Sequence, residues 1–158
     1  MENLSEKIRT LFVQNETTLS VAESITGGAL AHQLTLVPGA SNYFLGGVVA
    51  YSNTSKEHLL HVKPETLKAY GAVSEQVAKE MAEGALKAFN SDYALSITGV
   101  AGPSGGSQAK PIGFAWCALA SKQETIAWTF QSQSGKRKEI IHDATHALLQ
   151  KLIQEISV

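Results

Sequence analysis

The sequence contains one cysteine and almost no net charge. Cys117 stands alone, which excludes an intrachain disulfide and suits a reducing compartment. Because 13 lysines and arginines face 14 aspartates and glutamates, the net charge is only -1, too small for the field of the whole molecule to attract nucleic acid. Any recognition of a phosphate must therefore come from a local group of residues, and we expect no nucleic-acid partner.

Long apolar segments are also missing. Residues 1–10 are charged and lack the apolar part of a signal peptide, and every apolar run is interrupted before it reaches the length of a membrane span. We therefore expect a cytoplasmic protein without a membrane partner. A length of 158 residues fits one domain, and neither a repeat nor a linker divides the chain, so a single domain is predicted over residues 1–158.

The spacing of apolar residues predicts alternating helices and strands. Strands that first alternate with helices and then pair locally predict a three-layer α/β/α sandwich with a mixed, mostly parallel sheet. The predicted helices cover residues 4–14, 29–36, 54–61, 63–70, 75–89 and 141–152. The predicted strands cover residues 17–23, 44–51, 93–98, 112–120 and 125–130, and the last two strands form a hairpin.

Three local features refine this outline. Residues 44–51 (FLGGVVAY) are apolar and partly β-branched, which is typical of a central strand, and their two glycines indicate close packing on the backbone. Asn53 is a suitable N-cap for the helix that follows it. Ser74 is a suitable N-cap for the helix whose apolar face contains Val77 and Met81.

Ser24 lies where the first predicted strand ends, within residues 22–28 (AESITGG). Ligands of α/β proteins gather at the carboxyl ends of strands, and a serine there could attack a carbonyl group if a base removed its proton. The N–H groups near Thr26, Gly27 and Gly28 could then stabilise an oxyanion. The alternative is that Ser24 only caps the next helix, and the heptapeptide alone favours neither interpretation.

A second polar segment, residues 51–56 (YSNTSK), follows the second predicted strand. Tyr51 ends the strand and Lys56 lies one turn into the next helix, so both could face the sheet edge that carries Ser24. A desolvated lysine can serve as the general base of a serine, and a tyrosine hydroxyl can relay a proton. The alternative is a solvated Lys56 and a Tyr51 that buries its ring, and for Lys56 in isolation this alternative is the better interpretation.

Residues 98–107 (TGVAGPSGGS), closed by residues 110–113 (KPIG), form a long glycine-rich loop. Repeated glycine lets backbone N–H groups converge on an anion. The segment is neither a P-loop, because no Gly-Lys-Ser/Thr follows, nor a dinucleotide fingerprint, because no helix follows. A plain turn is the alternative, but loops of this length usually have a function, which favours ligand binding. Arg137, in the basic run 135–138 (GKRK), either reaches a substrate phosphate or lies only at the surface.

Together these segments resemble the C-terminal domain family of the competence/damage-inducible protein CinA. The resemblance rests on residues 22–28, residues 49–53 with Lys56, residues 71–74 (GAVS) and residues 96–113, and it extends over nearly the whole chain. A chain of this length, without the large N-terminal domain of full CinA proteins, is similar to the short nicotinamide-nucleotide amidases of that family.

This resemblance implies hydrolysis of nicotinamide mononucleotide to nicotinic acid mononucleotide and ammonia, within NAD salvage. It also implies a serine nucleophile with lysine and tyrosine helpers, which fall on Ser24, Lys56 and Tyr51. No metal or organic cofactor is implied, and a homodimer or higher homo-oligomer is expected. Family members often carry a second arginine four residues after the one at Arg137. Ile141 occupies that position here, so this chain lacks any contact that such an arginine makes with a phosphate or within the oligomer.

The resulting hypothesis is an acyl transfer. Neutral Lys56 takes the proton of Ser24, with Tyr51 as a relay, and Ser24 attacks the carboxamide. The residues predicted to bind substrate are Thr26, Gly27, Gly28, Thr98, Gly99, Ala101, Gly102, Ser104, Gly105, Gly106 and Arg137. The alternatives are a non-catalytic nucleotide-binding module and an interaction module of a competence or damage response, and an assay for ammonia separates the first hypothesis from both.

Overall fold

The computed structural model describes residues 2–157, and it contains every predicted helix and strand with ends shifted by a few residues. A short 3-10 helix, Ala40–Asn42, precedes the second strand. Along the chain the elements are α1 (Glu2–Gln14), β1 (Leu19–Glu23), α2 (Ala29–Thr35), β2 (Phe44–Val49), α3 (Asn53–Leu60), α4 (Pro64–Tyr70), α5 (Glu75–Phe89), β3 (Tyr93–Gly99), β4 (Phe114–Ser121), β5 (Thr125–Gln131) and α6 (Arg137–Ile156).

The strands form one mixed sheet in the order β2-β1-β3-β4-β5. β1 pairs in parallel with β2 and with β3, whereas β3 with β4 and β4 with β5 are antiparallel. Only β4 therefore runs against the direction of the other strands. The predicted mixed sandwich and its terminal hairpin are confirmed, although two of the four strand pairings are antiparallel.

Helices cover both faces of the sheet. On one face, α1, α2 and α6 contribute Phe12, Leu30 and Leu148 to a core that also contains Cys117 of β4. Burial raises the pKa of the Cys117 thiol to about 12, so this thiol stays protonated inside the core. On the other face, the predicted apolar stripe of α5 packs against the sheet, together with Leu60 at the end of α3 and Leu67 of α4. The sheet is thus enclosed as the middle layer.

β2 is an edge strand, and its prediction as a central strand was wrong. It pairs only with β1, and Leu45 and Val49 are 44% and 47% exposed. The close packing expected at its glycines is confirmed, because a Cβ on Gly46 would lie 2.9 Å from Phe89 Cε1. The apolar character of the segment therefore reflects partly buried side chains, with Phe44 against one core and Val48 against the other, rather than burial of the whole strand.

Serine residues cap the N-termini of α3 and α5, and these caps fix where both helices begin. The cap of α3 is Ser52 rather than Asn53, because Ser52 Oγ accepts from Ser55 N at 3.1 Å and Ser55 Oγ accepts from Ser52 N at 3.2 Å. This reciprocal arrangement is a capping box, which satisfies two backbone donors at once. The predicted cap of α5 is confirmed, since Ser74 Oγ accepts from Val77 N at 3.2 Å.

Gly84 lets α5 contact the end of α3. A Cβ at this position would lie 2.0 Å from the carbonyl oxygen of Leu60. Alanine is favoured over glycine in a helix by about 1 kcal/mol, yet we expect Gly84→Ala to destabilise the protein by about 1 to 3 kcal/mol, because α3 must move away. Urea unfolding measures this effect, with Gly135→Ala as the control, since a Cβ there meets nothing within 4 Å. A stabilised Gly84→Ala variant would contradict the close contact.

Candidate active site

Ser24 is the first residue after β1, at the carboxyl edge of the sheet. Its backbone N–H donates to the carbonyl oxygen of Ile97 at 3.1 Å, which continues the parallel ladder in which Glu23 is opposite Ile97. The side chain of Ser24 is 8% exposed. Ser24 is not the N-cap of α2, since that position belongs to Gly28, so the capping interpretation is wrong.

Lys56 points from α3 directly at Ser24. Its Nζ lies 3.0 Å from Ser24 Oγ and donates to the carbonyl oxygen of Ala50 at 3.0 Å. Lys56 is 2% exposed, and none of the carboxylates that the structure describes forms an ion pair with it. Burial lowers the pKa of Lys56, which favours the neutral amine. The interpretation of Lys56 as a solvated helix lysine is therefore wrong.

Tyr51 lies at the mouth of the site and not between Lys56 and Ser24. It is 58% exposed, and its hydroxyl accepts from Arg137 Nη2 at 2.5 Å. Arg137 also donates through Nη1 to the carbonyl oxygen of Gly102 at 2.6 Å. Because Lys56 reaches Ser24 without an intermediary, the predicted proton relay through Tyr51 is not the arrangement found. Arg137 instead joins α6, the glycine-rich loop and the segment after β2.

A cavity of about 310 Å³ opens beside Ser24 and is called the Ser24 cavity below. It brings together ten of the residues predicted for the site: Ser24, Tyr51, Lys56, Thr98, Gly99, Ala101, Gly102, Ser104, Gly105 and Arg137. Four predicted residues do not line it, namely Thr26, Gly27, Gly28 and Gly106. Arg137 but no carboxylate stands among the described residues of the lining, so the cavity suits an anionic ligand.

Hydrogen bonds hold the glycine-rich loop against the sheet and the end of α4, and they hold the segment before α5 against the sheet. Val100 N donates to the carbonyl oxygen of Phe114 at 2.9 Å, and Lys110 Nζ donates to the carbonyl oxygen of Tyr70 at 2.8 Å. Thr98 Oγ1 donates to the carbonyl oxygen of Ala72 at 2.9 Å. Since this bond uses the only hydroxyl hydrogen of Thr98, its oxygen is left as an acceptor for a ligand of the cavity, and its predicted place among the substrate-binding residues stays a prediction.

Glu23 is an important residue that the sequence reasoning missed. Its side chain is fully buried, and its carboxylate accepts four hydrogen bonds at the start of α2. The donors are Thr26 Oγ1 at 2.6 Å, Leu30 N at 2.9 Å, Ala31 N at 3.0 Å and Gly28 N at 3.2 Å. An acidic residue just before a helix start is a signal that could have revealed this role, because anions are favoured at helix N-termini.

The hydrogen bonds to Glu23 also limit which backbone N–H groups are free to donate to an oxyanion. Gly28 N donates to Glu23 and Gly27 N donates to the carbonyl oxygen of Ser24 at 3.1 Å, so the prediction that these two amides hold an oxyanion was wrong. Within the described residues, the N–H groups of Ile25 and Thr26 have no acceptor. Because Ile25 follows Ser24 directly and lines the Ser24 cavity, its N–H is the better candidate.

Loss of the Glu23 carboxylate leaves several buried donors without partners. We expect Glu23→Ala to lower the free energy of unfolding by about 2 to 4 kcal/mol, since each unsatisfied buried donor is costly. Glu23→Gln keeps one acceptor oxygen, and we expect a loss of about half that size. Urea unfolding measures both variants against Glu83→Ala on the exposed side of α5. Equal stability of Glu23→Ala and Glu83→Ala would contradict the capping role.

The described residues contain neither a candidate metal site nor a candidate membrane span. Within residues 2–157, the histidines, cysteine and carboxylates form no group of three or more that could hold a metal ion. No helix in the same part of the chain has the length and apolar character needed to cross a membrane.

Comparison with known proteins gives consistent similarities. A family model described as the CinA C-terminal domain matches residues 1–156. The nicotinamide-nucleotide amidohydrolase PncC of Shigella flexneri is 45% identical over 153 residues, which cover 96% of this chain and 92% of that protein. A CinA-like protein of Endomicrobium trichonymphae is 48% identical over 151 residues, covering 93% of this chain and 35% of that protein. The chain thus spans about a third of the length of that relative.

Solved structures are similar over nearly their whole length. The crystal structure of the competence/damage inducible protein CihA from Agrobacterium tumefaciens has a TM-score of 0.94 and 36% identity, covering 99% of this chain and 95% of that chain. A CinA superfamily protein from Escherichia coli has a TM-score of 0.92 and 32% identity, covering 97% of this chain and 88% of that chain. The sequence and the fold therefore indicate the same relatives.

Proposed function

The chain belongs to the CinA C-terminal domain family, and from this membership we propose that it hydrolyses the carboxamide of nicotinamide mononucleotide. The observation that carries the proposal is the contact of 3.0 Å between Lys56 Nζ and Ser24 Oγ, buried at the base of a cavity whose lining has no carboxylate. A serine paired with a desolvated lysine is a known arrangement for attack on a carbonyl carbon. The similarity to a nicotinamide-nucleotide amidohydrolase supports the choice of substrate.

In the proposed reaction Lys56 acts as the general base. The carbonyl oxygen of Ala50 holds one N–H of Lys56, which orients the lone pair of the neutral amine toward the Ser24 hydroxyl. Burial lowers the pKa of Lys56, so a larger fraction of the amine is neutral than in a solvated lysine. Lys56 takes the proton of Ser24 as Ser24 Oγ bonds to the carboxamide carbon.

The tetrahedral intermediate places negative charge on the former carbonyl oxygen. We assign its stabilisation to the N–H groups of Ile25 and Thr26, which have no acceptor within the described chain. The carbon–nitrogen bond then breaks, and Lys56 returns the proton to the nitrogen, which leaves as ammonia. Water attacks the acyl-serine with Lys56 again as base, and this step releases the acid and restores Ser24.

The mouth of the Ser24 cavity fits the nucleotide part of this substrate. Arg137 provides a guanidinium group for the phosphate, and its present partners, Tyr51 and Gly102, are neutral. The exposed ring of Tyr51 can stack against the cationic pyridinium ring. A volume of about 310 Å³ lies within the range of small-molecule sites. A single domain over residues 1–158, a cytoplasmic location and a homo-oligomer stay predictions.

The test is to incubate the purified protein with nicotinamide mononucleotide and to measure ammonia together with nicotinic acid mononucleotide. Equal amounts of both products are expected. Nicotinamide riboside, which lacks the phosphate, is the matched control, and we expect it to be a poorer substrate because Arg137 has no anion to bind. Binding of the nucleotide by calorimetry without ammonia release would contradict the proposal and would favour a non-catalytic nucleotide-binding module.

A further inference from the structure

Thr98 is the neighbour of Ser24 on the adjacent strand. Glu23 of β1 is opposite Ile97 of β3, so the next position along each strand brings Ser24 beside Thr98, at the usual strand separation of about 4.8 Å. Ser96 Oγ donates to the carbonyl oxygen of Ala78 in α5, and residues two apart on a strand point to the same face. Thr98 therefore projects into the same space as Ser24 and lines the Ser24 cavity.

The hydroxyl of Thr98 can only accept a hydrogen bond from a ligand. Its single hydrogen is donated to the carbonyl oxygen of Ala72 at 2.9 Å, so only the lone pairs of Oγ1 are available to a ligand. Thr98 is also 1% exposed, so little water reaches this oxygen. The other hydroxyl and amide groups of the lining, on Tyr51, Asn53 and Ser104, are exposed. Thr98 is thus the buried neutral side-chain acceptor beside the nucleophile.

We propose that Thr98 Oγ1 accepts an N–H of the scissile carboxamide and so selects amides over esters and carboxylates. This role rests on the function proposed above. A carboxamide nitrogen carries two hydrogens, whereas an ester oxygen carries none and the ionised acid product has only acceptor atoms. The other nearby acceptors are engaged, because Lys56 Nζ lies against both Ser24 Oγ and the Ala50 carbonyl oxygen.

The contact applies to the step that breaks the carbon–nitrogen bond. Ser24 Oγ forms its bond to the carbonyl carbon, the electron pair of the carbon–nitrogen bond goes to nitrogen, and the proton held by Lys56 goes to the same nitrogen. The nitrogen leaves as ammonia. An N–H held by Thr98 fixes the orientation of the nitrogen, so that its lone pair faces the proton on Lys56. Thr98 thus acts on the leaving group without exchanging a proton.

The experiment compares Thr98→Val and Thr98→Ser on two substrates, nicotinamide mononucleotide and the methyl ester of nicotinic acid mononucleotide. We expect Thr98→Val to lower kcat/KM for the amide by about tenfold to a hundredfold, because one N–H of the leaving group loses its partner. The ester, which has no such N–H, is expected to change by less than about threefold. Thr98→Ser keeps the oxygen and is expected to retain most of the activity on the amide.

Ser96→Ala is the matched control. Ser96 also donates to a backbone carbonyl from the same face of β3, but it does not line the Ser24 cavity, so the ratio of amide to ester turnover should not change. An equal loss on both substrates in Thr98→Val, or no loss on either, would overturn the role of Thr98. If the unaltered protein hydrolyses neither substrate, the proposed function itself fails and the role of Thr98 fails with it.

Discussion

Replacement of Ser24 by alanine is expected to abolish the release of ammonia from nicotinamide mononucleotide. The expected fall in kcat is about 10⁴-fold to 10⁶-fold, the size found when a serine nucleophile is removed from a hydrolase. The physical reason is that Lys56 Nζ, 3.0 Å from Ser24 Oγ, then has no hydroxyl to deprotonate. A coupled ammonia assay with a single-turnover measurement gives the rate, and nucleotide binding should persist, because Arg137 and the loop are unchanged.

Ser20→Ala is a matched control for the Ser24 variant. Ser20 is a buried serine on the same strand, its hydroxyl lies 2.8 Å from Ser91 Oγ, and it does not line the Ser24 cavity. Both variants lose one buried hydroxyl, so each is expected to lose about 1 kcal/mol of stability, and only Ser24→Ala is expected to lose activity. Ammonia release that survives in Ser24→Ala would exclude Ser24 as the nucleophile.

Replacement of Lys56 by methionine is expected to lower kcat by about 10³-fold or more, since the general base is removed. Methionine fills similar space without a charge, so the core between α3 and the sheet is expected to keep its packing. Lys56→Arg tests the base more strictly, because arginine donates hydrogen bonds but stays protonated. Lys79→Met on the surface of α5, where Lys79 pairs with Glu75, is the control and should keep full activity.

The pH dependence of the unaltered protein tests the same assignment. Burial lowers the pKa of Lys56, so kcat/KM is expected to rise with pH and to level off above that lowered pKa, before a solvated lysine would titrate. The unfolded chain binds a proton at Lys56 more readily than the folded protein does. The contribution of Lys56 to the free energy of unfolding therefore rises with pH between the lowered pKa and the ordinary one.

Lys56→Met removes the titrating group, and with it this increase of stability over that pH window. The measurement is urea unfolding of both proteins at several pH values across the window. Two results would contradict the assignment of Lys56 as a buried, partly neutral base: a parallel pH dependence in the two proteins, or Lys56→Arg with activity close to that of the unaltered protein.

Many helices and strands could be predicted because the spacing of apolar residues and the capping residues within short segments determine them. The apolar stripe of α5 has helical spacing, the capping residue Ser74 starts that helix, and the terminal hairpin is local in sequence. The position of β2 could not be predicted in this way. An apolar strand looks the same at the centre and at the edge of a sheet, and strand order depends on pairings between distant residues.

The candidate site also has a part that could be predicted from the sequence and a part that could not. Ser24, Tyr51, Lys56 and the glycine-rich loop are recognisable in the sequence as ordered motifs, and the family resemblance gives them a common chemistry. The distances between these residues cannot be read from the sequence, because the residues belong to β1, the turn after β2, α3 and the loop after β3. These segments come together only through the parallel pairing of β1 with β2 and with β3. In the folded chain the Tyr51 hydroxyl binds Arg137 instead of contacting Ser24 and Lys56, and the Gly28 amide donates to Glu23.

The sequence by itself determined the elements, the family and the residues able to carry the chemistry, since these follow from periodicity and from motifs within short segments. The tertiary structure alone decided which of them lie together. Desolvation of Lys56 against Ser24, the buried carboxylate of Glu23 and the hydroxyl of Thr98 turned toward Ala72 depend on contacts between residues far apart in sequence. Burial and hydrogen bonding at such contacts set the protonation state of a side chain and the direction of its donors.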